Sequence, residues 1–405
     1  MSCMFGDKLQ PDRRKVIKSL GAGGLVTGLA GCTGDSGSSS GGNSLTEATW
    51  GGASSTETDC MECVHPQGGW EISERVNEES DSLEINFTGG AELCGEGDCG
   101  GQLISGNYPL TQNSITNATN WFPELDIFAP GYLVPVEDSN TQSQAGVADM
   151  IYDQAVLEDF WVPFANEYGV LPVAMGTPEL RVIWMSSEWE GEVREPADLS
   201  DAEIRRTPSG NEARVLEAWG ATPTSINWGE TVQGMESGVV DGFVSWASVN
   251  FAAGAGPVTS QAIITHHMVG TRMSWVDVEW LKGLDQDDID ILAQESKEVS
   301  EQLVQNVPDV LENMGQTSEN PGEDTRYSQD DIDVVMLDEE EMEAWQSPVD
   351  VTQNRELYSE SIDSAEELAG DGVFDTILES AQSPSEISGY TFDAWWDDIL
   401  DDIEV

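Results

Sequence analysis

"EIRRTPSGNEARVLEAWGATPTSINWGETVQGMESGVVDGFVSW", residues 203–246, alternates short strands with short helices. Residues 203–207 are predicted to be a strand, ended by Pro208. Ser209 and Glu212 then fit the N-cap and N3 positions of a capping box. Val215, Leu216 and Trp219 share one helical face, and Gly220 stops the helix. ATPTSINW (221–228) is the next predicted strand. GETVQGMESG (229–238) is a second short helix with Val232 and Met235 inward, and VVDGFVSW (239–246) is a third strand with Asp241 fixing its turn. A β-α-β-α-β order with connections of a few residues implies a parallel sheet. Ligands of such sheets sit beyond the carboxyl ends of the strands, near helix N-termini. Arg205 and Arg206 stand at such a place, without a phosphate-type glycine fingerprint beside them.

The α/β rhythm extends outward from this unit. SLEINF (82–87) alternates as a half-buried strand does. LDIFAPGYLVP (125–135) reads as a strand entering a turn. VLEDFWVPFANEYG (156–169) has helical spacing, with VLPVAM following as a strand. LRVIWM (180–185) suits a central strand, in which Trp184 is core filling. From Asp285 to Met314 a helical stripe runs through Ile289, Leu292, Val299, Leu303, Val307 and Val310; Pro308 is expected to kink or split it. Residues 333–345 read as a strand and an acid-capped helix, and residues 383–405 as a terminal acidic helix. No internal repeat occurs.

The chain has 405 residues, 76 acidic and 16 basic, for a formal net charge of −60. At 39% hydrophobic, with fourteen tryptophans, it is long enough for two domains with full cores and is no disordered polyanion. Lys282 and Lys297 are the only lysines after residue 30. Such a surface suits molar salt, where the Debye length is about 3 Å and self-repulsion is screened. The charge argues against nucleic acid and anionic membrane surfaces as direct partners. It leaves anionic small molecules open where a local positive site exists.

The N-terminal PDRRKVIKSLGAGGLVTGLAGC (11–32) carries Arg13-Arg14 before a short apolar run, which resembles a twin-arginine export signal. It ends in Leu29-Ala30-Gly31-Cys32, which resembles a lipobox with Cys32 as the lipidated residue. The Gly/Ser tract that follows is a tether, assigned to 33–55. The expected protein is extracytoplasmic, held at the cytoplasmic membrane only by a lipid anchor. Cys60, Cys63, Cys94 and Cys99 point to two disulfides in any of three connectivities; a zinc site from the same four is the alternative, and a redox pair at Cys60 and Cys63 a further one. Asn86 and Asn117 fit the N-glycosylation pattern.

Arginine presents a fixed fork that matches a carboxylate with two parallel bonds. High salt screens the repelling mean field and leaves such a contact pair intact. The competing reading of the arginine pair is a bridge to a surface acid. His65, His266 and His267 fall in no nucleophile or metal motif, so no enzyme, metal or cofactor chemistry is expected.

The stretch from residue 196 to 246 resembles solute-binding proteins of the TRAP transporters, the extracytoplasmic subunits of cation-coupled importers. Ile204-Arg205-Arg206-Thr207-Pro208, Trp219-Gly220-Ala221 and Gly238-Val-Val-Asp-Gly242 carry the resemblance. PELDIFAPGYLVP (123–135) and WLKGLDQDDIDILAQESKE (280–298) support it, over roughly residues 56–380. It implies a two-lobed α/β fold with a long lobe-spanning helix and an organic acid in the cleft between lobes. Lobe I is assigned to 56–178 plus about 247–300, and lobe II to 179–246 plus about 301–382. Aligned on Pro208, the carboxylate-binding arginine of the family falls on Arg206. Arg181 is the second candidate, with Arg205, Ser245, Trp246, Trp228 and Trp275 as further cleft residues. Val244 stands where some members hold a cation-binding glutamate, which disfavours a metal-bridged ligand. The resemblance implies a receptor that delivers a carboxylate to a TRAP permease. An ABC-type binding protein and an exported hydrolase are the alternatives.

Overall fold

Two sheets organise the chain. The structure, a computed structural model, describes residues 45–52, 68–137, 143–176 and 179–404. Arg13, Arg14, Cys32, Cys60, Cys63 and His65 lie outside those residues. The first sheet has the order β2-β1-β3-β10-β4, built from β1 (Thr46–Gly52), β2 (Leu83–Thr88), β3 (Leu110–Ser114), β4 (Val170–Met175) and β10 (Arg272–Asp277). β1 pairs in parallel with β2 and β3, while β10 runs antiparallel to β3 and β4. The second sheet has the order β11-β9-β5-β8-β6-β7, with β5 (Val182–Ser186), β6 (Glu203–Arg206), β7 (Thr222–Ser225), β8 (Gly242–Ser245), β9 (Thr259–Ile263) and β11 (Asp333–Val335). β6 pairs in parallel with both β7 and β8, as the opening stretch predicts.

Side chains of a strand alternate between faces, and the second sheet separates its apolar residues accordingly. Ile183, Met185, Val244 and Ile263 join the larger core, which is shared with the first sheet. Val182, Trp184, Phe243 and Ile264 form a second core on the other face. Trp184 stacks there on Phe243 and Tyr327.

Two extended segments cross between the sheets, from β4 to β5 and from β9 to β10. The two crossings pair with each other: Gly176 N donates to Arg272 O (2.7 Å), Gly270 N to Glu179 O (3.0 Å) and Arg181 N to Met268 O (2.7 Å). A single Leu180–Val269 bridge lies between them. The connection is therefore a short two-stranded ribbon. The helix Gln286–Met314 also joins the two halves; 29 residues give it a length of about 44 Å. Its first half, with Ile289, Leu292, Val299, Leu303 and Val304, sits in the larger core. Val307, Val310, Leu311 and Met314 sit in the second. The helix runs unbroken through Pro308, so the expected split does not occur; apolar anchors on both sides hold it together.

Four other expectations are revised. Residues 46–52, counted with the tether, form β1, because alternate side chains (Ala48 and Trp50) are buried. β9, counted with lobe I, belongs to the second sheet, because the chain crosses back only at 264–271. The predicted strand at 125–135 opens as a 3-10 helix, Pro123–Phe128; Pro123 is preset for the first helical position. At the C-terminus only Trp396–Asp402 is helical, since Pro384 and Gly389 interrupt what precedes it. Trp395 and Trp396 are buried and both donate to Ser296 Oγ of the long helix, at 3.2 Å.

Candidate functional site

A small cavity lies where the ribbon, the first sheet and the second sheet meet. Glu96, Asn117 and Arg272 reach it from the first sheet's side. Arg181 enters from the ribbon, and Arg205, Thr207, Trp228, Ser245, Trp246 and Val249 from the second sheet and the segments that follow its strands. The parallel β8-β6-β7 unit thus presents its carboxyl ends to the cavity, as open α/β sheets present them to ligands.

Three arginines are buried here, each about 1% exposed. Arg181 is fully engaged. Its Nη2 donates to Thr116 Oγ1 (2.7 Å) and its Nε to Val269 O (3.3 Å), and Nη1 lies 3.5 Å from both Val244 O and Glu212 Oε1. Its guanidinium stands 4.9 Å from the centre of the Trp246 ring, a cation–π distance. Gly270 makes that approach possible, because a Cβ there would meet the Trp246 ring at 2.7 Å. Arg272 Nη1 pairs with Glu96 Oε1. Arg205 differs: its Nε donates to Ile226 O (3.0 Å) and its guanidinium lies over Trp228 at 5.3 Å. Its Nη1 and Nη2 have no hydrogen-bond partner, and no carboxylate pairs with it among the described residues. Burial pulls the Arg205 guanidinium down to about 10, with Glu212 nearby opposing the shift; it remains a cation at neutral pH.

Arg206 faces elsewhere. Consecutive strand residues point to opposite sides, and its Nη1 donates to Thr207 O (2.7 Å) and Ser209 O (3.3 Å) of the following turn. The geometry therefore puts Arg205, not Arg206, on the cavity wall, and corrects the assignment drawn from Pro208. The capping box is also half of what was expected. Ser209 Oγ accepts from Glu212 N (3.1 Å), yet the Glu212 carboxylate turns to Thr207 N and Oγ1 rather than to the cap. That places a buried carboxylate behind Arg181. Asp126 takes up Ser209 Oγ and Asn211 N at the same helix start, and burial lifts its carboxyl to about 6.

Glu96 sits in a tight loop closed by the Cys94–Cys99 disulfide. Its Oε2 accepts from Ser114 N (3.1 Å) and Asn117 Nδ2 (3.3 Å). Its main-chain oxygen accepts from Asn113 Nδ2 (3.0 Å), and Trp121 Nε1 holds Gly97 O (2.7 Å). Asn117, one of the two glycosylation-pattern residues, is 8% exposed and committed to this network.

Glu179 lies on the ribbon behind the site. Its Oε2 accepts from Ser248 N (3.3 Å) and burial raises its carboxyl to about 7. A carboxyl whose folded pKa exceeds its unfolded value favours the fold at low pH, and that contribution disappears as pH rises through the window from about 4.5 to 7. Glu179→Gln is expected to remove the slope. Its Tm advantage over the parent should be near zero at pH 4.5 and grow by pH 7.5, reflecting on the order of 3 kcal/mol. A difference in Tm that stays constant with pH contradicts this.

The family model described as bacterial extracellular solute-binding protein, family 7, matches residues 68–351. The chain belongs to this family. Among individual relatives, the ectoine-binding periplasmic protein TeaA of Halomonas elongata is 24% identical over 251 residues, 58% of this chain. The match spans 66% of TeaA, just under two thirds of its length. The fold is that of the sugar acid binding protein DctPAm from Advenella mimigardefordensis in complex with galactonate (TM-score 0.64, 17% identity, 84% of this chain and 98% of that one). It is equally that of a TRAP periplasmic solute binding protein from Sulfurospirillum deleyianum with bound succinate (TM-score 0.63, 14% identity, 82% and 98%).

In this family 7 protein the structure brings Arg181, Arg205, Ser245, Trp228 and Trp246 to one cavity. Trp275 is not there: it is buried in the first lobe, donates to Asn113 Oδ1 (2.8 Å) and packs on Phe122 and Trp161. Asp241 clamps the β6–β8 end through Glu203 N (2.9 Å). Glu96, Asn117, Thr207, Val249 and Arg272 escaped the sequence reading. For Arg272 a signal existed: it is one of eleven arginines in the chain and opens the apolar-patterned strand β10. Glu96 had only its place between two cysteines.

Proposed function

We propose that this chain is an extracytoplasmic receptor that encloses a small organic acid between its two lobes and delivers it to a cation-coupled TRAP permease. The observation that supports this most is Arg205, a buried guanidinium on the cavity wall whose two terminal nitrogens have no hydrogen-bond partner among the described residues. A buried cation without a partner is costly, and a ligand carboxylate supplies the missing charge and the two acceptors. Both structural relatives described above are complexes with organic acids. Thermal-shift screening of organic acids in molar KCl tests the reading. A ligand at 100 times its Kd adds about 2.7 kcal/mol to stability. A flat response across mono-, di- and sugar acids would count against it.

The remaining features of the reading concern delivery and setting. Arg13-Arg14 and Leu29-Ala30-Gly31-Cys32 support twin-arginine export and lipidation at Cys32. Cys32→Ser should then move the protein from the membrane fraction to the medium. The −60 charge supports a molar-salt environment, so Tm should climb steeply between 0.1 M and 2 M KCl as about 10 Å of Debye length shrinks towards 3 Å.

A further inference from the structure

Resting on the carboxylate reading above, we infer that Glu96 makes the cavity selective for acids bearing a single negative charge, accepting monocarboxylates and rejecting dicarboxylates. The charges on the cavity carry this. Three guanidiniums meet there, and two are already answered inside the protein: Arg272 by Glu96, and Arg181 by Glu212 at 3.5 Å. Of the three, Arg205 alone has no carboxylate within ion-pair distance among the described residues, with Glu212 and Glu96 acting on it only from further off. Three guanidiniums therefore meet two carboxylates, and the site lacks one negative charge. Arg206 does not alter the balance, since it stands on the other side of β6 and spends its Nη1 on Thr207 O and Ser209 O.

A second ligand carboxylate would be enclosed with Glu96 and without a free guanidinium. Two carboxylates sharing a desolvated site repel strongly enough that one is forced to take a proton. Glu96 cannot swing aside to relieve this. Ser114 N, Asn117 Nδ2 and Arg272 hold its carboxylate, Asn113 holds its main chain, and the Cys94–Cys99 disulfide closes its loop. The staple thus fixes the Glu96 carboxylate in place on the cavity wall.

The test uses matched pairs of linear diacids and their monoamides, from malonate and malonamate to adipate and adipamate. Calorimetry is run on the folded, disulfide-intact protein at pH 7.5 in molar KCl. The monoamide of the best-fitting length is expected to bind at least tenfold more tightly than its diacid. Glu96→Gln, which leaves two unanswered guanidiniums, should lower or reverse that ratio. Diacids binding as well as monoamides in the parent protein overturn the inference while leaving the carboxylate reading standing. Absence of binding by every acid, including the wider screen, overturns both. The parent measurement decides even if Glu96→Gln fails to fold, and Cys94→Ser/Cys99→Ser, which frees the loop, gives a second route to a reduced ratio.

Discussion

Arg205→Ala is expected to abolish acid-induced stabilisation while the protein remains folded. Truncating one partner of an enclosed charge pair costs about 2–5 kcal/mol, so Kd should rise by roughly two orders of magnitude or more. The loss to the empty protein is small, because Arg205 makes one hydrogen bond, to Ile226 O, and its burial is itself unfavourable. Arg205→Lys keeps the charge and loses the fork, and should recover only part of the affinity. Arg206→Ala provides the contrast: it removes two bonds to the following turn and should leave Kd within a few-fold. Calorimetric titration of the three variants with one responsive acid decides the matter. Equal responses from Arg205→Ala and the parent would remove Arg205 from the site.

Glu212→Ala should give the largest loss of stability of any single change at the site. Glu212 is fully buried, and one carboxylate oxygen accepts from both Thr207 N and Thr207 Oγ1. The other faces Arg181. Removing the side chain strands a buried guanidinium and two buried donors, and breaking a buried pair from one side costs about 3–5 kcal/mol. Denaturant unfolding should show a lower midpoint with an unchanged slope. Glu212→Gln keeps one oxygen to accept from Thr207 and removes the charge facing Arg181, and so separates the contribution of charge from that of the Thr207 hydrogen bonds. A variant as stable as the parent would mean that Arg181 finds its compensation elsewhere.

How far the sequence could be read depended on the range of the interactions involved. The β6–β8 unit was legible because each strand and helix there is set by neighbours a few residues away: Pro208, the Ser209 cap, the glycine stops. The long helix was legible from its stripe. What periodicity could not resolve was which of two adjacent arginines faces inward. That depends on the register of β6 against β8, where Ile204 opposes Gly242 and Arg205 opposes Phe243. Glu96 and Arg272 are 176 positions apart in sequence; no local pattern announces such a pair. The strand expected at 125–135 failed for a related reason. Asp126 is drawn into a turn by the helix start at 209–211, far along the chain, and that contact overrides the local preference.

The long helix has a mechanical consequence. A rod seated in two apolar masses resists any swing that would pull one end from its seat, so movement of the halves must be absorbed within the rod. Its softest point is set by chemistry: Pro308 has no N–H, so the rung back to the Val304 carbonyl is missing. Val304 is the last residue seated in the larger core and Val307 the first in the other. The missing rung therefore coincides with the unsupported span, where a flexure does least damage to either seat.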